Sequence, residues 1–396
     1  MIKNLTVSLI VLILSCNHSI SQEIASQGHN PYKLSRKEVQ WMHQATLQQL
    51  KGCRVKGTNG LWLHTPDGVG NYKALWTRDF YYMVEYAGDL MDPAEIRATI
   101  HYLINGQRED GCMPDRVNID GKPVYSPGPD NNPMADHALD NGPFMALLVC
   151  SYANQFKDGA LFRSVEEKLR KGLDFINRSA SGLVYNDPEN AQCVYGFTDT
   201  VKKTGNLLFS SLLYYKACKE MAVLCRTYDF GDPEIYKVRA ENIKKNMYTL
   251  LDEKSGMFWA ADKDCKQIDI WGSAYAVSIG ITNGEQSERI SDYLIRNADQ
   301  IFMNGQIRHL PGSDAGWHNL FVPIAKGTYQ NGAYWATPLA WVVPVIAQQN
   351  KPLAKKILQD VIVDFQHNGI NECINSDYKN IPNYVASATN VYGLTR

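Results

Sequence analysis

Apolar residues recur at helical spacing along most of this chain, and alternating strand patterns are scarce. Asp92-Pro93 reads as an N-cap with proline at the first helical position, opening a helix to about Asn105 with Ile96, Ile100 and Leu103 on one face. Asn141-Gly142-Pro143 opens another, in which Met145, Leu148, Val149 and Tyr152 follow the i, i+3, i+4, i+7 pattern. The same period predicts helices over Ser164–Asn177, Asn206–Cys225, Pro233–Leu251, Gln286–Phe302, Gly332–Gln348 and Pro352–Gln366. Short hairpins fit only near Val117–Val124 and Leu183–Asn186. Between the helices lie long segments rich in Gly, Pro, Asn, Asp and aromatics: 106–142, 178–206, 252–284, 303–331 and 367–391. Loops that long in a compact domain are functional more often than idle. The pattern predicts an all-α toroid of helical hairpins whose loops build a site at one end.

The first residues break this pattern. Met1-Ile2-Lys3-Asn4 is basic, and Leu5 to Leu14 is apolar but for Thr6 and Ser8, too short a run to span a bilayer. It ends in Ile13-Leu14-Ser15-Cys16, which reads as a bacterial lipoprotein signal over 1–15, with Cys16 as the lipid-attachment residue. The simpler alternative is a secretory signal cleaved near Ser19 or Ser21. Either way the chain is expected to be exported, and the first reading anchors it in the outer or inner membrane, facing periplasm or cell surface. Residues 16–35 then form a tether, and no linker composition divides 36–396, which is expected to be one catalytic domain.

Composition narrows the chemistry. A net charge of −1 favours neither nucleic acid nor an anionic membrane surface as partner. Nine cysteines include no CxxC pair, and nine histidines include no HExxH, so neither a catalytic transition metal nor a cofactor is expected. An exported chain has room for one or two disulfides among the cysteines beyond Cys16; buried free thiols are the default for most of them.

Four clusters carry candidate chemistry. "KALWTRDFYYMVEY" (73–86) sets Arg78 and Asp79 behind Trp76 amid further rings. "DHALDNGPF" (136–144) holds Asp136 and Asp140, "TYQNGAYWATPLAW" (328–341) frames Gln330 and Asn331 with Tyr329, Trp335 and Trp341, and "HNGINECINSDY" (367–378) places Glu372 in a polar loop. Singly, these are packing, N-caps or solvated acids. Together they suit a sugar, whose C–H faces stack on rings and whose vicinal hydroxyls fit an Arg–Asp clamp. Glycoside hydrolysis needs one protonated and one ionised carboxyl. A helix N-terminus would keep Asp140 ionised unless burial and other carboxylates outweighed it.

These motifs resemble, in order from residue 75 to 393, those of the six-hairpin (α/α)6-barrel glycosidases. "LWTRDF" is similar to the Trp-x-Arg-Asp motif of glucoamylases and neutral invertases, and "ALDNGPF" to the general-acid segment of glucosidase I-like and invertase-like members. "YQNGAYW" resembles a Tyr-x-Asn-Gly-x-x-Trp stretch, and "NECINSDY" with "NYVASATNVYG" resembles the segment supplying the general base. The resemblance implies an (α/α)6 toroid and an exo-acting, inverting hydrolase that releases a terminal, gluco-configured sugar from a carbohydrate substrate. It implies Asp140 as acid and Glu372 as base, with Trp76, Arg78, Asp79, Asn141, Tyr329, Asn331 and Trp335 in the sugar pocket. Asp199, in "YGFTDTVKKTG", is a rival acid. Two other readings stand beside it. A sugar 2-epimerase or unsaturated-uronyl hydrolase on the same barrel would favour paired histidines among His137, His309, His318 and His367. A non-catalytic glycan-binding lipoprotein would not need Asp140 and Glu372 to converge.

Overall fold

A computed structural model describes residues 30–396. The expected signal segment and Cys16 lie outside the described residues. Among the described residues, twelve helices of eight residues or more alternate between two rings. The outer ring is α1 (Arg36–Gly52), α3 (Pro93–Ile104), α5 (Gly159–Phe175), α7 (Pro233–Asn246), α9 (Gly284–Arg296) and α11 (Lys351–Asn368). The inner ring is α2 (Thr77–Ala87), α4 (Asn141–Phe156), α6 (Leu208–Tyr228), α8 (Ile270–Ser278), α10 (Leu339–Gln349) and α12 (Val385–Tyr392). Each inner helix touches the next, and α12 touches α2, so the ring closes into an (α/α) toroid.

Local chemistry starts these helices where caps are available. Ser35 and Glu38 form a capping box at α1. Asp92 and Asp232 cap α3 and α7 ahead of proline, as the Asp-Pro pairs predict. Four helices escaped the periodic reading, and three of them, α2, α8 and α12, are inner. In α12 every residue is buried, and in α8 all but the last are. A helix buried on all sides has no polar face and hence no amphipathic period. The helix expected from Gly332 begins instead at Leu339, because Tyr334–Trp335 pairs as a strand and Pro338 takes the N-cap.

From outer helix to next inner helix the connections are long (53–76, 105–140, 176–207, 247–269, 297–338 and 369–384), whereas inner-to-outer connections are short. All inner N-termini therefore lie at one end, under the long loops. Those loops carry the strands. Ala74–Trp76, Arg116–Asn118 and Pro123–Val124 form a three-stranded sheet in which Trp76 faces Arg116. A five-stranded antiparallel sheet runs in the order Phe302–Met303, Gln306–Arg308, Tyr334–Trp335, Asn371–Asn375, Tyr378–Pro382. One apolar cluster extends from Leu34 to Leu394. At its centre, rings from five inner helices meet: Tyr82 lies 5.6 Å from Phe144 and 6.1 Å from Trp341, which lies 6.0 Å from Phe209 and 5.4 Å from Tyr275. The eight cysteines of the described residues are all buried and free, so none forms the disulfides an exported chain allowed.

Candidate active site

The short strand Ala74–Trp76 delivers Trp76 to the N-terminus of α2, and Thr77, Arg78 and Asp79 form its first turn. Thr77 Oγ1 donates to the Pro114 carbonyl (2.7 Å) and fastens this turn to the loop before Asp115. Above it lies a narrow chamber of about 40 Å³, the inner end of a larger cavity. The polar lining of the chamber is one guanidinium, Arg78, three carboxyls, Asp79, Asp199 and Glu372, and the amide of Gln330; Tyr72, Trp76, Phe197, Tyr329, Trp335 and Tyr384 supply rings. Chain positions 79, 199 and 372 thus meet in one cavity. Tyr72, Trp76, Asp199 and Tyr329 also line an outer bowl, so they form the neck between the two spaces.

Each carboxyl is held by identifiable partners. Glu372, on the strand Asn371–Asn375, accepts from Tyr72 Oη at Oε1 (2.7 Å) and from Asn380 Nδ2 at Oε2 (2.5 Å). Asp199 Oδ1 accepts from Gln330 Nε2 (3.0 Å), and its Oδ2 lies 3.8 Å from Arg78 Nη1. Gln330 is fixed in turn, donating to the Gly196 carbonyl (3.0 Å) and accepting from the Thr200 N–H and hydroxyl (2.9 and 2.6 Å). Asp79 Oδ1 accepts from Tyr384 Oη (2.6 Å). Tyr329, at the neck, has φ +40°, a left-handed conformation that costs a non-glycine residue energy and is typical of sites under functional constraint.

Burial dominates the protonation of these groups. It pushes Glu372 up to about 8, with the negative charges of Asp79 and Asp199 adding, against the hydrogen bonds from Tyr72 and Asn380. Burial raises Asp199 to about 7, opposed by Arg78 and Gln330 and reinforced by Asp115 and Asp140. It lifts Asp79 to about 6 against the Tyr384 bond and Arg78. Burial works against the Arg78 cation, yet Asp115, Asp140, Asp199 and Asp79 hold its pKa well above the ordinary arginine value. One guanidinium among so many carboxyls cannot keep all of them ionised near neutral pH.

The predicted residues separate into two groups. Trp76, Arg78, Asp79, Asp199, Tyr329, Trp335 and Glu372 line the chamber. Asp140 sits beneath it, 0 % exposed, accepting from the Gly196 N–H (2.7 Å) and lying 3.4 Å from Arg78 Nε. Its pKa is raised by burial, then by Asp115, against Arg78 and the Gly196 amide. Although it is the N-cap of α4, it makes no side-chain capping bond, so the helix end contributes less than expected. Asn141 donates to the Met113 and Tyr125 carbonyls (3.0 and 2.9 Å), and Asn331 to the Ile324 carbonyl (2.8 Å); both brace loops outside the chamber. Asp136 pairs with Arg108 and His137 at the surface. None of the four candidate histidines lines the chamber. His309 is buried against Trp271 behind the Trp335 wall, and His318 and His367 are exposed.

Sequence reasoning missed Tyr72, Phe197, Tyr384, Asn380 and the buried Asp115. Tyr72 directly precedes one motif and Tyr384 lies inside another, and their hydroxyls acquire meaning only from carboxyls 300 and 305 positions away. Gly196 shows a sharper signal. A Cβ there would fall 1.8 Å from Arg78 Nε, so only glycine lets the guanidinium pass between the 196 loop and Asp140.

No protein-family model and no curated protein sequence matches the chain. Solved structures do match in fold. The mannosylglycerate hydrolase of Thermus thermophilus, in complex with Tris and D-glycerate, superposes with TM-score 0.67 at 13% identity, over 90% of this chain and 100% of that one. A rhamnosidase from Klebsiella oxytoca with rhamnose bound gives 0.66 at 14%, over 93% and 66% of the two chains. The GH78 family rhamnosidase of Bacillus sp. GL1 gives 0.63 at 12%, over 90% and 34%. Likeness at this identity speaks for the fold alone: the chain has the six-hairpin (α/α) fold seen in these enzymes.

Proposed function

We propose that the chain is an exo-acting glycoside hydrolase that holds one terminal pyranose in the chamber and cleaves its bond at the neck, with inversion. The observation that carries this reading is the meeting of two buried, partner-oriented carboxyls, Asp199 and Glu372, in one ring-lined cavity with Arg78 and Asp79. Asp199 lines both neck and bowl, where the leaving oxygen would emerge, so it is the general acid. Glu372 lies inside the chamber and is the base that activates water; the two donors on it orient it and oppose the burial that raises its pKa. Asp140 then serves as a positioning residue, holding Arg78 and the 196 loop beneath the sugar. Arg78 and Asp79 clamp hydroxyls, and Trp76, Tyr329 and Trp335 supply the stacking faces. The same-fold Thermus thermophilus hydrolase was solved with glucose, which supports a gluco-configured sugar as first expectation.

In the test, Asp199→Asn and Glu372→Gln each lower kcat by roughly 10²–10⁴-fold on an unactivated glycoside, the contribution of general acid–base catalysis. Fluoride leaves without a proton, so Asp199→Asn keeps activity on the glycosyl fluoride while Glu372→Gln does not. Proton NMR should show the inverted anomer first. Full activity in either variant, or a retained anomer, overturns the assignment. If Asp140→Asn rather than Asp199→Asn spares the fluoride, the acid is Asp140. We also propose export with a lipid on Cys16, supported by the apolar run ending in Ser15-Cys16; palmitate labelling that survives Cys16→Ser would reject it.

A further inference from the structure

We propose that the bowl in front of the chamber is an aglycone site for an apolar alkyl or aryl group rather than for a glycan chain, a reading that rests on the glycosidase function above. The bowl holds about 600 Å³ and continues through the neck into the chamber. Its Arg116, Asn118 and Asp130 side chains satisfy one another, while Asn71 and Lys73 stand exposed on the lining. Arg116 donates to Asp115 Oδ2 (3.0 Å), Asp130 Oδ1 (2.7 Å) and the carbonyls of Ser126 and Gly128 (3.1 and 2.7 Å), and its guanidinium covers the Trp76 ring at 4.6 Å. Asn118 Nδ2 is bound to Asp130 Oδ2 (2.6 Å), and Asp120 Oδ1 accepts the Lys122 N–H (3.0 Å). A hydroxylated aglycone would exchange its water for groups already satisfied, which costs free energy.

Beside these polar groups, most of what the bowl presents is apolar. Ile119 is 38 % exposed, Pro129 is exposed, and Met134 is half-buried beside them. The wall is set in advance. Pro127 and Pro129 fix their own φ, Gly128 takes φ +101°, the Met134 N–H donates to the Pro127 carbonyl (2.9 Å), and Arg116 grips the carbonyls on either side. Little ordering entropy is then lost on binding, and the unbranched methionine adapts to aglycones of different shape. The chamber, with its carboxyls and guanidinium, reads the sugar; the bowl reads apolar surface.

The test uses the full chain and the sugar, among D-glucose, D-mannose and L-rhamnose, whose α- or β-fluoride is hydrolysed fastest. Methyl, butyl and octyl glycosides of that sugar have alcohols of similar acidity, so their differences report binding in the bowl. KM is expected to fall at least tenfold from methyl to octyl, and a disaccharide of the same sugar should resemble the methyl glycoside. In Ile119→Ser and Met134→Ser, the ratio of kcat/KM for the octyl glycoside to that for the fluoride should drop at least fivefold. A KM flat across the alkyl series, or a disaccharide preferred over octyl, overturns the inference while leaving the hydrolase reading intact. Failure to hydrolyse any fluoride overturns both.

Discussion

At the scale of single residues, the site works by desolvation. Asp199 and Glu372 are raised to about 7 and about 8, so a pH–rate profile for kcat/KM should be a narrow bell between those values, not the acidic bell of solvated carboxyls. The bell has the same form whichever carboxyl holds the proton; the fluoride experiment, not the profile, separates the roles. An optimum near pH 4–5 would mean that the chamber is far wetter than its burial implies. Desolvation also has a stability consequence. Folded Glu372 keeps its proton up to about pH 8, whereas an unfolded glutamate releases it near ~4.3. Between these values the native state binds more protons, so stability falls as pH rises through the window. Glu372→Gln removes that loss, and its Tm should exceed that of the native chain by several degrees at pH 9 and match it at pH 4. Gly196→Ala meets Arg78 head-on and should lower kcat/KM by at least about 100-fold, because an ångström of misplacement is costly in a catalytic constellation.

At the scale of elements, short loops take their precision from single side chains. Asp67 accepts the amide N–H groups of Val69 and Asn71 at Oδ1 (2.8 and 3.1 Å) and of Tyr72 at Oδ2 (2.8 Å). This winds the 67–72 loop so that Tyr72 reaches Glu372. Asp67→Ala should therefore lower kcat about tenfold or more and move the alkaline limb of the pH profile, since Glu372 loses an oriented donor; a merely structural loop would change neither limb. The opening stretch 73–86 divides at this scale. Trp76, Arg78 and Asp79 face the chamber, whereas Tyr81 and Tyr82 are buried in the ring of inner helices below it. The neighbouring charge pair Arg78–Asp79 turns out to be two separate attachments: Arg78 to Asp115, Asp140 and Asp199, and Asp79 to Tyr384.

At the scale of the molecule, the toroid is centred on Trp341. It is 1 % exposed, touches rings from three other inner helices, and donates to the Trp271 carbonyl (3.1 Å). Trp341→Ala should cost about 3–5 kcal/mol of stability, readable as a shifted denaturation midpoint. A loss under about 1 kcal/mol would show that the inner helices hold the ring without it. The toroid was legible in the sequence through five of its outer helices, through the inner α4, α6 and α10, and through the long loops after the outer helices. α8 and α12 were not, because uniform burial erases the period. By itself the sequence determined the helical class, the order of the site motifs, and the chamber's Arg78, Asp79 and Glu372, because composition and spacing are local properties. Only the tertiary structure decided that Asp199 stands at the neck while Asp140 lies under the floor. Both are acids beside a turn, and which one meets solvent depends on how the 196 loop crosses Arg78, a contact made between residues more than a hundred positions apart.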